Sequence, residues 1–197
     1  MFNDPSSALS LLLSRRSGKA RDMIGPGPDA AELDLILRAA TRVPDHGKLN
    51  PWRLVVIPQE ERAAFGAMLC DAYRAERPDA GRLEIEAMDS FAKVAPLMIA
   101  LLSTPVESSK IPLWEQQMSV GAVAMQLLNA AHALGFVGNW LTGWPSFNRA
   151  VAESLGARGA EDRVAGFFFF GTAAKPLEER PRPEIAQVVS TWPVVAR

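Results

Sequence analysis

Apolar residues along the chain fall into blocks whose spacing switches between helical and extended periods. Leu9, Leu11, Leu12 and Leu13 predict a short helix that ends at Ser14, Arg15, Arg16 and Ser17. Gly18, Gly25, Pro26, Gly27 and Pro28 then mark a loop. Asp29, three residues before Glu32, has the arrangement of a capping box, and Leu33, Ile36, Leu37 and Ala40 follow at helical spacing. A turn-rich stretch over 43–51 leads into Trp52, Arg53, Leu54, Val55, Val56 and Ile57, which predict a buried strand. Residues 59–76 and 83–93 read as helices, and residues 95–102 as a second buried strand.

The longest block opens at Pro112 and runs as a helix to about Leu134, with Gly135 as its stop. Met118, Val120, Val123, Met125, Leu127, Leu128 and Leu134, with Ala122, Ala124, Ala130 and Ala131, leave almost no polar face. Such a helix must be buried on every side, and in a chain of 197 residues one side is expected to meet another subunit. A strand over 136–141, a helix over 146–155 and a strongly apolar strand over 164–170 follow. Beyond Gly171 the pattern changes. Pro176, Pro181, Pro183 and Pro193 break it, and apolar residues return only at Val188, Val189, Trp192, Val194 and Val195. This predicts one domain over residues 1–171 and an extended arm over 172–197 that packs on a partner. Alternating strands and helices predict an α+β or α/β sandwich, with four or five strands and helices on both faces.

The composition narrows the function. A net charge of −1 supplies no broad basic field for nucleic acid or for an anionic membrane surface. The apolar runs fall short of the ~20 residues that cross a bilayer. The basic residues near the start follow the first apolar run instead of preceding it, unlike a secretory signal, so the expected location is the cytoplasm. Cys70 is the single cysteine, and His46 and His132 are the only histidines, with no HExxH spacing. No metal site is expected. No GxGxxG, GxxxxGK[ST] or GxSxG is present.

Four segments remain as candidate chemistry. Arg15, Arg16, Ser17 and Lys19 place three cations and a hydroxyl within five residues, enough to grip a phosphate or the polar edge of a heterocycle. The same residues also suit a helix C-terminus that complements its dipole. Arg42, Pro44, Asp45, His46, Lys48 and Asn50 form a loop between rigid elements, where binding groups concentrate, although Asp45 and His46 equally suit a plain turn. Gly135, Gly138 and Gly143 bracket a strand that carries Trp140, Leu141 and Thr142, and small residues there let backbone N–H groups approach a flat ligand. Lys175, Arg180 and Arg182 follow the last strand, placed either to close on a phosphate or to be solvated.

Taken in order, these segments resemble the nitroreductase family. The likeness rests on Arg15-Arg16-Ser17, the Leu-x-x-Ile-Leu-x-Ala-Ala pattern over 33–40, Pro44-Asp45-His46, and Pro51-Trp52 before a strand. Arg42-x-Pro44-Asp45-His46, Pro112-x-Trp114-Glu115-Gln116 and Gly135-Phe136-x-Gly138-x-Trp140 are similar to a small bacterial subgroup of NAD(P)H nitroreductases. The resemblance implies an α+β sandwich with a mostly antiparallel central sheet, built as an intertwined homodimer with an FMN in each interface cleft. It implies that Arg15, Arg16 and Ser17 contact the flavin and its phosphate, and that Lys19 lies near the N1–C2 edge. It brings Arg42 and His46 to a flavin shared across the interface, the backbone of Trp140, Leu141, Thr142 and Gly143 to the isoalloxazine, and Arg180 or Arg182 to the phosphate. No side chain is implied to be catalytic, because the flavin carries the chemistry. The activity implied is a ping-pong transfer from NAD(P)H to a small-molecule acceptor, such as a nitroaromatic or quinone. The alternative is an FMN-binding or sensing protein with little turnover. Leu141 and Thr142 depart from the more polar pair of the subgroup, and the chain is short for the family.

Overall fold

Ser7 opens the first helix, α1 (Ala8–Ser14), by accepting the Ser10 N–H on its side chain. After a 3₁₀ turn over Ala20–Asp22 come a two-residue strand, β1 (Met23–Ile24), and α2 (Ala30–Ala40), which carries the expected Asp29–Glu32 capping box. Strand β2 (Trp52–Ile57) starts after Pro51 and stops before Pro58. Helices α3 (Arg62–Glu76) and α4 (Arg82–Lys93) lead to β3 (Leu97–Ser103). The long helix α5 (Leu113–Ala133) ends before Gly135, whose φ of 87° is left-handed. Then follow β4 (Val137–Leu141), α6 (Trp144–Phe147), α7 (Arg149–Ser154), β5 (Arg163–Ala173) and a single turn, α8 (Ile185–Val188). These elements come from a computed structural model that describes residues 1–108 and 110–193.

All strand pairings are antiparallel, and β5 holds the sheet together by pairing with β1, β3 and β4, while β2 lies at the edge against β3. Four consecutive phenylalanines in β5 are fully buried because both faces of the sheet are covered. Phe167 and Phe169 join Met98, Ala100 and Leu102 under α3, α4 and α7. Phe168 and Phe170 join Ile99 and Leu101 under α2 and α5. The period of two thus splits one apolar run between two cores. The expected sandwich is the observed one.

Two details differ from expectation. The helix expected over 146–155 is broken at Asn148, whose side chain accepts the Val151 N–H and starts a new helix. Strand β2 is partly exposed along most of its length, since it pairs on one edge only. Helix α5 is buried on one side, while Trp114, 69% exposed, and Met118 face outward, with Gly121, Ala122 and Met125 partly covered along the same stripe. Leu9, Leu12 and Leu13 of α1 are exposed as well. The residues after Ala173 run over the surface, and Ile185, Val188, Val189 and Trp192 (87% exposed) find no cover among the described residues. Val194 and Val195, which the sequence assigns to the same apolar patch, lie outside the described residues. No helix is long and apolar enough to cross a membrane among the described residues.

Candidate functional site

The site begins where α1 stops. Arg15 takes an extended conformation, and the chain from Arg15 to Lys19 is pinned by contacts from three directions. The Arg16 N–H donates to Asn3 Oδ1 at 2.7 Å. Beneath it, His132 of α5 lies fully buried with Nε2 at 3.1 Å from the Arg16 carbonyl and 3.3 Å from the Gly138 nitrogen. Asn139 of β4 donates from Nδ2 to the Gly18 carbonyl. Gly18 has no room for a side chain, because a Cβ there would lie 2.5 Å from Val137 Cγ1. A side chain at this position would push the segment off β4.

The other wall is the start of the C-terminal tail. Lys175 Nζ pairs with Asp22 Oδ1 at 2.6 Å and ties the end of β5 to the 3₁₀ turn. Arg16 Nε donates to the Glu178 carbonyl at 2.8 Å. Glu179 Oε1 lies 3.5 Å from Arg16 Nε and 3.7 Å from an Arg182 guanidinium nitrogen, so one carboxylate bridges two cations. Between these walls lies a cleft of about 670 Å³, a ligand-sized volume. Arg15, Arg16, Lys19, Lys175, Arg180 and Arg182 line it, with Asp22, Glu178 and Glu179 as its acids.

Arg15 is the partly buried cation of this cleft whose charge no carboxylate compensates. Its one hydrogen bond runs to Ser17 Oγ at 3.2 Å, and it has no carboxylate partner among the described residues. Burial, and then the charges of Arg182 and Arg16, hold its pKa below the ordinary guanidinium value. It remains a cation, partly desolvated and facing like charges, and an external anion relieves both.

The structure therefore brings Arg15, Arg16, Ser17, Lys19, Arg180 and Arg182 into one cleft. Arg42, His46, Trp140, Leu141, Thr142 and Gly143 lie outside it. His46 sits in a 3₁₀ turn shaped by left-handed Gly47, Lys48 and Asn50, and its Nδ1 meets Glu115 Oε2 of α5 at 2.8 Å. Asp45 closes that turn by accepting the Leu49 and Asn50 N–H groups. Trp140 points to the opposite face of β4, stacks on Phe168 and donates from its indole N–H to the Ala165 carbonyl at 3.1 Å. Leu141 packs into the core under α3 and α4, while Thr142 and Gly143 are exposed. Lys175, one of the late cations of the sequence, also lines the cleft, while Asn139 and Asp22 join the site without having been picked out as binding groups in the sequence. A polar residue between Val137 and Leu141 on one face of a strand was the available signal for Asn139.

His132 fixes the geometry through its protonation state. In the neutral tautomer Nδ1 donates to the Leu128 carbonyl at 2.5 Å and Nε2 accepts from Gly138, so the Arg16 carbonyl beside Nε2 receives no proton from this ring. Burial is the main cause of a pKa below the ordinary imidazole value. A folded-state value depressed in this way means that the unfolded chain binds the extra proton first. The stabilisation from neutral His132 is thus complete above about pH 6.5 and is lost as the pH falls below it. The thermal midpoint of the apoprotein is expected to fall between about pH 7.5 and about pH 5.5, and His132→Gln is expected to flatten that fall. Equal slopes in both proteins would show that His132 is not the titrating group.

No group of three or more His, Cys, Asp or Glu side chains is placed to hold a metal among the described residues. The model of the family described as "Nitroreductase family" matches residues 14–172, a span that holds α2 to α7, most of β5 and the Arg15 side of the cleft. The Escherichia coli K12 protein named "Putative NAD(P)H nitroreductase YdjA" is 38% identical over 165 residues, covering 84% of this chain and 87% of that protein. Among solved structures, the nitroreductase-like family protein of Bacillus cereus superposes with a TM-score of 0.79 at 19% identity, covering 96% of this chain and 97% of the other. A Desulfovibrio desulfuricans protein solved in complex with FMN gives a TM-score of 0.69 at 21% identity, with coverages of 95% and 97%. The five-stranded antiparallel sheet between two helical layers is the fold of these solved structures, the family model spans most of the sequence, and the chain belongs to the nitroreductase family.

Proposed function

We propose that this protein is an FMN-dependent oxidoreductase that uses NAD(P)H to reduce electron-poor acceptors such as nitroaromatics or quinones, as a cytoplasmic homodimer. The observation that carries this reading is the cleft at segment 15–19, where six cations converge and Arg15 has no anion of its own. FMN fits it on chemical grounds. A phosphate dianion needs several guanidinium or ammonium groups, which Arg15, Arg16, Arg180 and Arg182 supply. Gly18 lets segment 15–19 lie directly against Val137 of β4 in the cleft wall, and Asn139 Oδ1 is buried in that wall with no hydrogen-bond partner among the described residues.

Bound FMN supplies the hydride-accepting and hydride-donating chemistry. The chain's own residues bind and orient it. Arg15 and Ser17 would hold its phosphate end, with Arg182, which shares the Glu179 carboxylate with Arg16, as a further cation for it. Lys19, exposed in the cleft, stabilises negative charge on the ligand after reduction. Reductant and acceptor would occupy the same cleft in turn, which is a ping-pong order, and the exposed cleft admits water as the source of the protons that the acceptor takes up.

The homodimer accounts for what one chain leaves uncovered. The stripe of Trp114 and Met118 on α5, the exposed leucines of α1, and the apolar end of arm 172–197 all call for a partner surface. Arg42 and His46, away from their own chain's cleft, are then available to the partner's. Absorbance spectra of the purified protein, taken before and after anaerobic addition of NADH or NADPH, test the reading. Flavin bands that bleach are expected. Bands that persist would favour an FMN-binding protein with little turnover, and a colourless protein that takes up no added FMN would end the proposal.

A further inference from the structure

Residues of β4 alternate between its two faces, and Val137, Asn139 and Leu141 share one of them. Val137 and Leu141 pack into the core around Phe167 and Phe169. Asn139 stands between them, opposite Phe169 in the register, and is the one polar side chain on that face of the strand. It lines the same cleft as segment 15–19. Half of its carboxamide is used, since Nδ2 donates to the Gly18 carbonyl. The other half is idle. Oδ1 is shut off from solvent and accepts no hydrogen bond. An aliphatic residue would suit the neighbouring core better, and a buried acceptor left unpaired is unfavourable. The bond from Nδ2 to Gly18 also fixes the orientation of the amide, so Oδ1 cannot exchange places with the nitrogen.

We propose that Asn139 is a flavin-contacting residue whose Oδ1 accepts a hydrogen bond from the bound cofactor, while its Nδ2 holds segment 15–19 in place. The inference rests on the FMN reading of the cleft. An oxidised flavin offers two kinds of donor, the imide N–H of its ring and the hydroxyls of its ribityl chain, and either completes the carboxamide.

Asn139→Leu and Asn139→Ser, as full-length apoproteins, are to be titrated with FMN, riboflavin and lumiflavin by quenching of flavin fluorescence, with the apoprotein thermal midpoint recorded for each. Loss of one neutral hydrogen bond is expected to weaken FMN and riboflavin alike by about tenfold, with the apoprotein midpoints little changed. A matching loss with lumiflavin, which lacks the ribityl chain, assigns the donor to the ring N–H. An undiminished lumiflavin affinity assigns it to a ribityl hydroxyl. Weakening of FMN alone, with riboflavin unaffected, would mean that Asn139 acts only through the phosphate grip of segment 15–19, and the proposal would be overturned. Unchanged affinities for all three flavins in a wild-type background that binds FMN would overturn it too. Failure of the wild-type chain to bind FMN would instead remove the cofactor reading itself, and this assignment with it.

Discussion

Arg15→Ala is expected to weaken FMN binding by about 10- to 100-fold, because one hydrogen bond between charged groups contributes ~1.5–3 kcal/mol. Riboflavin, which lacks the phosphate, is expected to bind the variant as it binds the wild type. The prediction follows from the position of Arg15 among the cations of the cleft. Arg16 and Arg182 already share Glu179, and Lys175 is paired with Asp22, so their charges are partly neutralised before any ligand arrives. Arg15 has only the Ser17 hydroxyl. A phosphate therefore gains most from Arg15, which is partly desolvated among like charges, and must compete with a carboxylate for Arg16, Arg182 and Lys175. Fluorescence titration at fixed ionic strength reads the effect, since cation–phosphate contacts weaken as salt screens them. Equal losses for FMN and riboflavin would place Arg15 away from the phosphate.

Phe168→Ala is expected to lower the stability of the fold by about 3–5 kcal/mol, a large share of the ~5–15 kcal/mol that holds a typical domain together. Phe168 is fully buried, stacks against Trp140 at 5.4 Å between centroids, and lies 6.5 Å from Phe170. Truncation leaves a cavity between α5 and the central strand and removes the platform under Trp140. Phe168→Leu keeps much of the volume and is expected to lose far less. Denaturant melts of the apoprotein distinguish the two. A drop for Phe168→Ala no larger than that for Phe168→Leu would mean that the second core tolerates collapse around this site.

The elements most legible in the sequence are those with local punctuation. Strand β2 begins and ends as expected because Pro51 and Pro58 flank it, and α5 lies between Pro112 and Gly135 for the same reason. The Asp29 capping box fixes the start of α2. Elements that exist only through tertiary pairing were not legible. Strand β1 is two residues long and forms because Met23 and Ile24 meet Ala173 and Thr172. The bulge in β5, where Ala165 is the extra residue between Gly166 and Val164, admits the Trp140 indole over a glycine with φ of 155°, and that glycine inside an apolar strand is the one local mark of it.

The site divides in the same way. Arg15, Arg16, Ser17 and Lys19 stand out as a cluster in the chain, and Arg180 and Arg182 as late cations. That these two groups face one another across a cleft comes from β5 and from the pair of Lys175 with Asp22, a contact 153 residues apart in sequence. The support given by His132 is also non-local, since it joins α5, β4 and the Arg16 carbonyl in one buried knot. Arg42 and His46 were grouped with the site through the family resemblance, and within a single chain they belong to a separate loop beside α5.

The placement of β5 has a consequence for how the protein comes into being. The strand that joins β1, β3 and β4 is the last of the five to emerge during synthesis. Until it arrives, β3 and β4 present unpaired edges, and neither helical layer has the phenylalanines that complete its core. Folding is thereby deferred until nearly the whole chain has left the ribosome, with contacts of long sequence separation formed late. A chain broken off before residue 163 would carry two apolar half-cores and open strand edges, the ingredients of aggregation. Quality control during translation therefore bears on this protein more heavily than on a fold of the same size built from neighbouring hairpins.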